Sequence, residues 1–573
     1  MRQRRGRSAL AGQAAHAGYA RHTRDIRHAR HIRDTRDTRD TRDTMDHWQG
    51  YPVAPMRIES HFGDRLTRCF AGRPPSMHAM FEDALRLHAQ GDALVFEGRC
   101  WTWRDLDAEV ARVAAGLAAL GVARGERVVL FLGNLPEFVF TLHALQRLGA
   151  IAVPVSVREQ KPGLEFILNQ CGAMLIVHEV ALADRVPDGQ ACPGLRARVA
   201  VGEDGDFADL LRHGALDAAT AVEEEDTALI LYTSGTTGRP KGAMLTHFGI
   251  VHSAMHFEAT MRLTRADRSA LVVPASHVTG VIAIIAAMLR VAGAVVMMRE
   301  FKAAAWIAEA ARERVTQTIM VPAMYNLILL SPEFGRHDLS AWRVGGYGGA
   351  PMPVATIDAL AARLPNLILT NAYGATETTS PVTIMPEGDT RAHADSVGVT
   401  VPCGHVVAVD DRGVEVAPGE TGELWIGGPM VVKGYWDNPE ATAREFTAGY
   451  WHSGDLGSVD AQGYVRVFDR KKDMLNRGGF KIYSVEVENT IAGLPGVVEA
   501  AVVGRPCPVL GERVHAFVHA PGAALTEAAV RAYCAERLAD YKVPETVGFT
   551  DAPLPRNPNG KMMKRLLRER LPQ

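Results

Sequence analysis

From about Pro55 onward, apolar and polar positions follow two alternating periods. Leu106–Leu120 repeats its apolar residues at helical spacing, and Arg127–Leu132 (RVVLFL) is a short apolar run of strand type. A helix-like Pro136–Leu148 follows, then a strand-like Ala150–Val155. The alternation recurs through Leu289–Val296, Trp306–Val315 and Gln317–Val321, which predicts layered α/β architecture with largely parallel sheets. After about Phe468 the chain becomes richer in charge. Strand-like Val497–Val503 and Val514–Val518 and helix-like Glu527–Leu538 predict a second, smaller α+β domain. The expected organisation is a large domain over 55–470 and a small one over 471–573.

Residues 1–54 break this pattern. The stretch Arg33–Thr44 reads RDTRDTRDTRDT, and its surroundings hold few large apolar residues, so no face can be buried and disorder is expected. It reads as a basic interaction tail, or as upstream sequence ahead of a start at Met45 or Met56; its Asp content argues against an organelle transit peptide. Residues 1–44 carry 12 Arg against 5 Asp, so the overall net charge of −2 conceals a distinctly acidic body. That argues against broad binding to nucleic acid or anionic membranes. Seven scattered Cys without a Cys-x-x-Cys pair favour reduced thiols and a cytoplasmic protein. Val278–Met298 is apolar enough to suggest a membrane span, but Arg290, two glycines and its β-branched residues favour a buried helix followed by a buried strand.

The strongest local signal begins at the strand-like Ala228–Tyr232 (ALILY), which runs into Thr233–Gly242 (TSGTTGRPKG). Thr233, Ser234, Gly235, Thr236, Thr237 and Gly238 allow a tight backbone turn and present N–H and O–H donors to phosphate oxygens, and Lys241 adds a point charge. This is not a Walker A loop, because the Lys follows a Pro and no Ser/Thr follows it. The segment LYTSGTTGRPKGAMLTH (Leu231–His247) closely resembles the signature of the acyl-adenylate-forming superfamily, which includes acyl- and aryl-CoA synthetases, peptide-synthetase adenylation domains and beetle luciferases. The resemblance spans about Pro55 to Leu571.

Further segments extend the resemblance, which implies their roles. NAYGATETT (Asn371–Thr379) is similar to the adenine and magnesium motif: Tyr373 would stack on the purine, Gly374 would permit close approach, Thr376 would donate to the α-phosphate and Glu377 would hold Mg²⁺. GGYGGAP (Gly345–Pro351), with Gly349 and Ala350, resembles the backbone bordering adenine and the acyl pocket. GELWIGGPMVVKGYW (Gly422–Trp436) matches a block read as structural and assigned no chemistry. Within WHSGDLGSVDAQGYVRVFDR (Trp451–Arg470), the match implies that Asp455 accepts both ribose hydroxyls, braced by Arg470. Lys472 occupies the hinge position about which the small domain would turn. NRGGFKIYSVEVE (Asn476–Glu488) resembles the loop bordering a pantetheine tunnel, with Gly478 and Gly479 leaving room and Lys481 meeting phosphate. PRNPNGKMMKR (Pro555–Arg565) matches the C-terminal catalytic motif, making Lys561 the lysine that bridges carboxylate and α-phosphate. PASHVTG (Pro274–Gly280) places His277 at the family's gating position beside the acyl and ATP sites.

The resemblance implies two steps with ATP, Mg²⁺ and coenzyme A. A carboxylate attacks the α-phosphorus to give acyl-AMP and pyrophosphate; the small domain then turns, and a thiol displaces AMP. Coenzyme A is the expected thiol, since no carrier sequence follows the Lys561 motif before Gln573. The alternatives are a stand-alone enzyme loading a carrier protein and, in another class, a non-catalytic ligand sensor. Retention of Lys561, Glu377 and Asp455 argues against the sensor. The segments expected to wall the acyl pocket are mostly small or apolar, which leans towards a fatty or aromatic monocarboxylate.

Overall fold

Six strands open the architecture, in the spatial order Lys241–Thr246, Thr227–Thr233, Ile151–Pro154, Arg127–Phe131, Leu175–Glu179 and Ala197–Val201. All neighbours are parallel except the first pair. This is a computed structural model, and it describes residues 47–233, 239–556 and 562–571. The chain divides into units Met1–Gln49 and Gly50–Gln573, and the account below concerns the second. Of the first, only a turn at His47–Gln49 is described, so the arginine repeat and the alternative start at Met45 lie outside the described residues.

A larger sheet carries the rest of the body. Its parallel part runs Ile368–Tyr373, Val344–Tyr347, Gln317–Met320, Arg268–Leu271, Ala294–Met297 and Asp92–Phe96. Beyond Tyr373 the pairing becomes antiparallel, through Thr383–Ile384, Gly398–Thr400, Tyr464–Arg470, Tyr450–Val459, Gly422–Gly427 and His405–Val409. Parallel neighbours need crossover segments, and helices such as Ala303–Arg312 and Val354–Arg363 supply them; the antiparallel part needs only short links. One core packs Val296, Trp306, Tyr325, Trp342 and Leu360. Another packs Val129, Phe131, Ile176 and Ile230.

The helix expected at Pro136–Leu148 forms over those residues, with Pro136 at its first turn, where a missing N–H costs nothing. The apolar Val278–Met298 run is a π-helical stretch Thr279–Ala286, an α-helix Ala287–Val291 and a strand Ala294–Met297, all mostly buried. Among the described residues no helix is long and apolar enough to cross a membrane.

The C-terminal part is a separate sheet of Phe480–Ile482, Leu475–Arg477, Gly511–His519, Glu499–Cys507 and Thr546–Thr550. Helices Ser484–Ala492 and Glu527–Ala535 contribute Val487, Ile491, Val530 and Cys534 to its own core. Tyr51, placed in the tail by the sequence pattern, accepts a hydrogen bond from the Glu387 N–H at 3.0 Å.

Candidate active site

Thr233 and Lys241 face each other as antiparallel partners at the ends of two buried strands. The loop between them contains Ser234, Gly235, Thr236, Thr237 and Gly238, which lie outside the described residues, as does Lys561. At its roots the chemistry is explicit. Thr233 Oγ1 donates to Glu377 Oε1 at 3.0 Å. Tyr435 O–H lies 3.2 Å from the same oxygen and 2.7 Å from Glu445 Oε2. Lys241 is buried and forms an ion pair with Glu445, its ammonium 4.3 Å from the centroid of the Tyr435 ring. Burial alone would raise the Glu445 carboxyl, but Lys241, Arg444 and Tyr435 together hold it below its ordinary range. Burial, with the Glu377 and Glu445 charges, pushes the Tyr435 phenol far above its ordinary value.

A second cluster forms where the parallel strand Ile368–Tyr373 meets the antiparallel pair Tyr450–Val459 and Tyr464–Arg470. Tyr373 O–H donates to Asp455 Oδ2 at 2.6 Å, and Arg470 Nε meets Oδ1 at 2.6 Å. Asp455 and Arg470 are register partners, so the hairpin fixes the pair. Arg470 also donates to the Ser453 carbonyl at 3.1 Å, and the Ser453 hydroxyl accepts from the Asp455 N–H at 3.0 Å. Burial and the adjacent Asp455 push the Tyr373 phenol well above its usual range. Asn371 is buried and donates to the Ser396 carbonyl at 3.3 Å. A side chain at Gly374 would be crowded: a Cβ there would lie 3.3 Å from backbone atoms of Ser380, Pro381 and Val382. The close approach expected at Gly374 is therefore made by the protein's own chain. Thr376 is half-buried, and Gly349 and Ala350 are exposed.

His277 Nδ1 lies 3.1 Å from the Thr279 hydroxyl and 3.3 Å from the Thr279 N–H. Burial lowers its basicity. The residue enters the π-helical stretch Thr279–Ala286, a form that often marks functional sites. Its loop is pinned by Asn134, whose side chain accepts from the Ala275 N–H at 2.8 Å and donates to the Val273 and Met298 carbonyls at 3.1 and 2.9 Å.

The remaining candidates lie at the C-terminal sheet. Lys472 and Lys481 are exposed. Gly478 and Gly479, with φ of 59° and 92°, make the turn between two strands in a conformation that side chains disfavour. Lys564, three positions beyond Lys561, pairs with Glu488 and donates to the Ser484 hydroxyl, each at 2.6 Å. Ser484 in turn donates to Asp469 Oδ2 through both N–H and O–H, at 2.5 and 2.6 Å. Arg568 pairs with Asp473 at 2.8 Å, next to Lys472.

The structure thus joins Thr233, Lys241 and Glu377 in one cluster and Tyr373, Asp455 and Arg470 in another. Sequence reasoning missed Tyr435, Glu445 and Asn134; the GYW of Gly422–Trp436 was the available signal for the first. For Mg²⁺, Glu377 fits. It is a buried carboxylate, the side-chain hydrogen bonds it accepts from described residues end on Oε1, and among those residues it has no ion-pair partner. The other gathering of ligand types, Glu59, His61 and Cys69, does not suit a cation, because Arg57 and Arg73 already neutralise Glu59 at 2.6 and 2.7 Å.

Comparison with known proteins places the chain in a family. The family model of AMP-binding enzymes matches residues 81–436, and that of the AMP-binding enzyme C-terminal domain matches residues 486–561. A feruloyl-CoA synthase from an Amycolatopsis species is 36% identical over 492 residues, covering 85% of this chain and 97% of its own. The long-chain-fatty-acid–CoA ligase FadD13 of Mycobacterium tuberculosis is 36% identical over 471 residues, covering 82% and 92%. Among solved structures, the anthranilate CoA ligase AuaEII in complex with anthranoyl-AMP matches with a TM-score of 0.81 at 27% identity, covering 87% of this chain and 97% of that one. The chain belongs to the AMP-binding enzyme family. It is an AMP-forming acid–thiol ligase.

Proposed function

We propose that the two clusters grip ATP from its opposite ends while a carboxylic acid, fatty or aromatic, is converted first to acyl-AMP and then to its CoA thioester. The observation that carries this reading is the Tyr373–Asp455–Arg470 cluster. It presents an aromatic face beside a buried carboxylate whose charge is already balanced. A carboxylate offers about four acceptor positions, so Asp455 keeps capacity for a ribose diol while holding Tyr373 and Arg470. Asn371, Gly349 and Ala350 border the purine and the acyl group.

At the other end, Thr233, Lys241 and the loop residues 234–238 receive the phosphates, and Thr376 donates to the α-phosphate. Glu377 would hold Mg²⁺, which when bound neutralises triphosphate charge. Lys561 brings its ammonium to the substrate carboxylate and the α-phosphate, lowering the repulsion between two anions as they meet. Pyrophosphate leaves. The small domain, 471–573, then turns about Lys472, withdrawing Lys561 and bringing Gly478, Gly479 and Lys481 to the thiol. The thiol attacks the mixed anhydride and AMP departs. His277 borders the acyl site with a neutral ring. No side-chain nucleophile is required, because both nucleophiles belong to substrates.

The apolar Thr279–Ala286 stretch, and burial that keeps the His252 and His256 rings of the helix His247–Thr260 uncharged, support an acid without a second carboxylate. Relatives named for feruloyl and long-chain fatty acyl substrates support the same range. Seven free thiols support a cytoplasmic location. The test is incubation with Mg-ATP, CoA and a panel of fatty and aryl acids, measuring AMP and acyl-CoA. Failure of every acid to release AMP overturns the reading; AMP release without an acyl-CoA product overturns the choice of thiol.

A further inference from the structure

The chain of contacts from Lys241 through Glu445 and Tyr435 to Glu377 has two middle residues with no part in the steps above. Its four members come from distant segments: the strand Lys241–Thr246, the helix Pro439–Glu445, the turn before that helix, and the short helical turn Thr376–Thr378. Lys241 and Glu445 side chains are only 8% and 18% exposed, and Tyr435 is 2% exposed. A phenol has one hydrogen and serves one acceptor at a time. Its contact to Glu445 is 2.7 Å and its contact to Glu377 is 3.2 Å, so the hydrogen is divided between the two carboxylates and favours the nearer Glu445. Glu377 Oε1 also accepts from Thr233 at 3.0 Å. Glu445 therefore gathers an ammonium and a phenol on one oxygen, and the Arg444 guanidinium at 2.8 Å on the other.

We propose that Glu445 and Tyr435 are positioning residues that occupy the phosphate-loop lysine and steady the metal-binding carboxylate until the magnesium nucleotide arrives. The proposal rests on the nucleotide reading given above. Resting Lys241 is paired, so it is not an open attractor for any passing anion. When triphosphate enters, Lys241 exchanges Glu445 for phosphate oxygens, and the Tyr435 hydrogen and Arg444 remain to satisfy the carboxylate it leaves. At the far end, the Tyr435 and Thr233 hydroxyls both donate to Glu377 Oε1, fixing that side of the carboxylate and leaving Oε2 to the cation. Glu445 thus restrains binding of anions that arrive without metal, and Tyr435 favours those that arrive with it.

The two residues consequently have opposite signatures. Titration calorimetry with α,β-methylene-ATP, which cannot be cleaved at the reacting bond, reads binding without turnover. Glu445→Gln keeps the shape and removes the competing charge, so analogue affinity in EDTA should rise about tenfold, the scale of a hydrogen bond to a charged group. Tyr435→Phe should raise the Mg²⁺ concentration for half-maximal analogue binding about tenfold and change affinity in EDTA less than about twofold. Circular dichroism melting confirms that each isosteric variant is folded. Unchanged or weakened metal-free binding in Glu445→Gln overturns the proposal, as does an equal loss with and without metal in Tyr435→Phe. If the unsubstituted chain fails to bind the analogue in Mg²⁺, the nucleotide reading itself is overturned.

Discussion

In the proposed reading Tyr373 has two tasks: its ring would offer a face to a purine, while its hydroxyl ties that ring to Asp455. Tyr373→Phe separates them. The ring persists and the tether is lost, so KM for ATP should rise about tenfold with little change in kcat. Steady-state kinetics at saturating acid and CoA measure both. Lys561 has a different signature. Lys561→Ala should slow acyl-AMP formation by at least ~10²-fold, the cost of losing one oriented charge donor, yet spare thioester formation from supplied acyl-AMP. Equal losses in both half-reactions would refute its role. At this scale the sequence displayed residue types better than partners. Thr233, Glu377, Asp455 and Arg470 stand in recognisable strings, whereas Tyr435 and Glu445 acquire meaning only through contacts to residues 58 and 204 positions away.

Elements were legible wherever one face differs from another. Leu106–Leu120 reads as a helix because its apolar residues recur at helical spacing, and the helix Trp103–Ala119 buries that face, including Leu106, Val110, Val113 and Leu117. The Thr279–Ala286 stretch is apolar on every side, so nothing in its residues separates a π turn from an α turn. The antiparallel half of the large sheet was equally hidden, because strands such as Thr383–Ile384 and Gly398–Thr400 are only 2 and 3 residues long. Lys472, the proposed pivot, is flanked on both sides: Asp469 lies on the strand before it, and Asp473 pairs with Arg568 after it. Lys472→Pro restricts the backbone at the pivot. It should preserve adenylation, followed by pyrophosphate exchange, while acyl-CoA formation from acyl-AMP falls several-fold. Parallel loss of both half-reactions would place the pivot elsewhere.

For the whole molecule, buried histidines set an acid limit on stability. Burial pushes His78 and His247 down to about 4, and His143 and His256 down to about 3. These rings are neutral in the fold, whereas the unfolded chain protonates them near 6.5. Above that pH they leave stability unchanged. Below it the unfolded state takes up protons that the fold refuses, so stability falls as pH drops from 6.5 towards 4. The slope is about 1.4 kcal/mol per pH unit for each group. Thermal melting at a series of pH values should show this decline, and His143→Phe should make it shallower. A pH-independent Tm through that window would contradict the burial argument.

Asn134 follows a strand of the six-stranded sheet, and the carbonyls and N–H it holds follow strands of the larger one. Three hydrogen bonds of one amide therefore stitch together segments 139, 141 and 164 residues apart. Such a stitch closes only after both sheets have formed and met. During refolding from denaturant, the His277 loop should be among the last regions to mature, and enzymatic activity should return more slowly than the far-ultraviolet signal of the backbone.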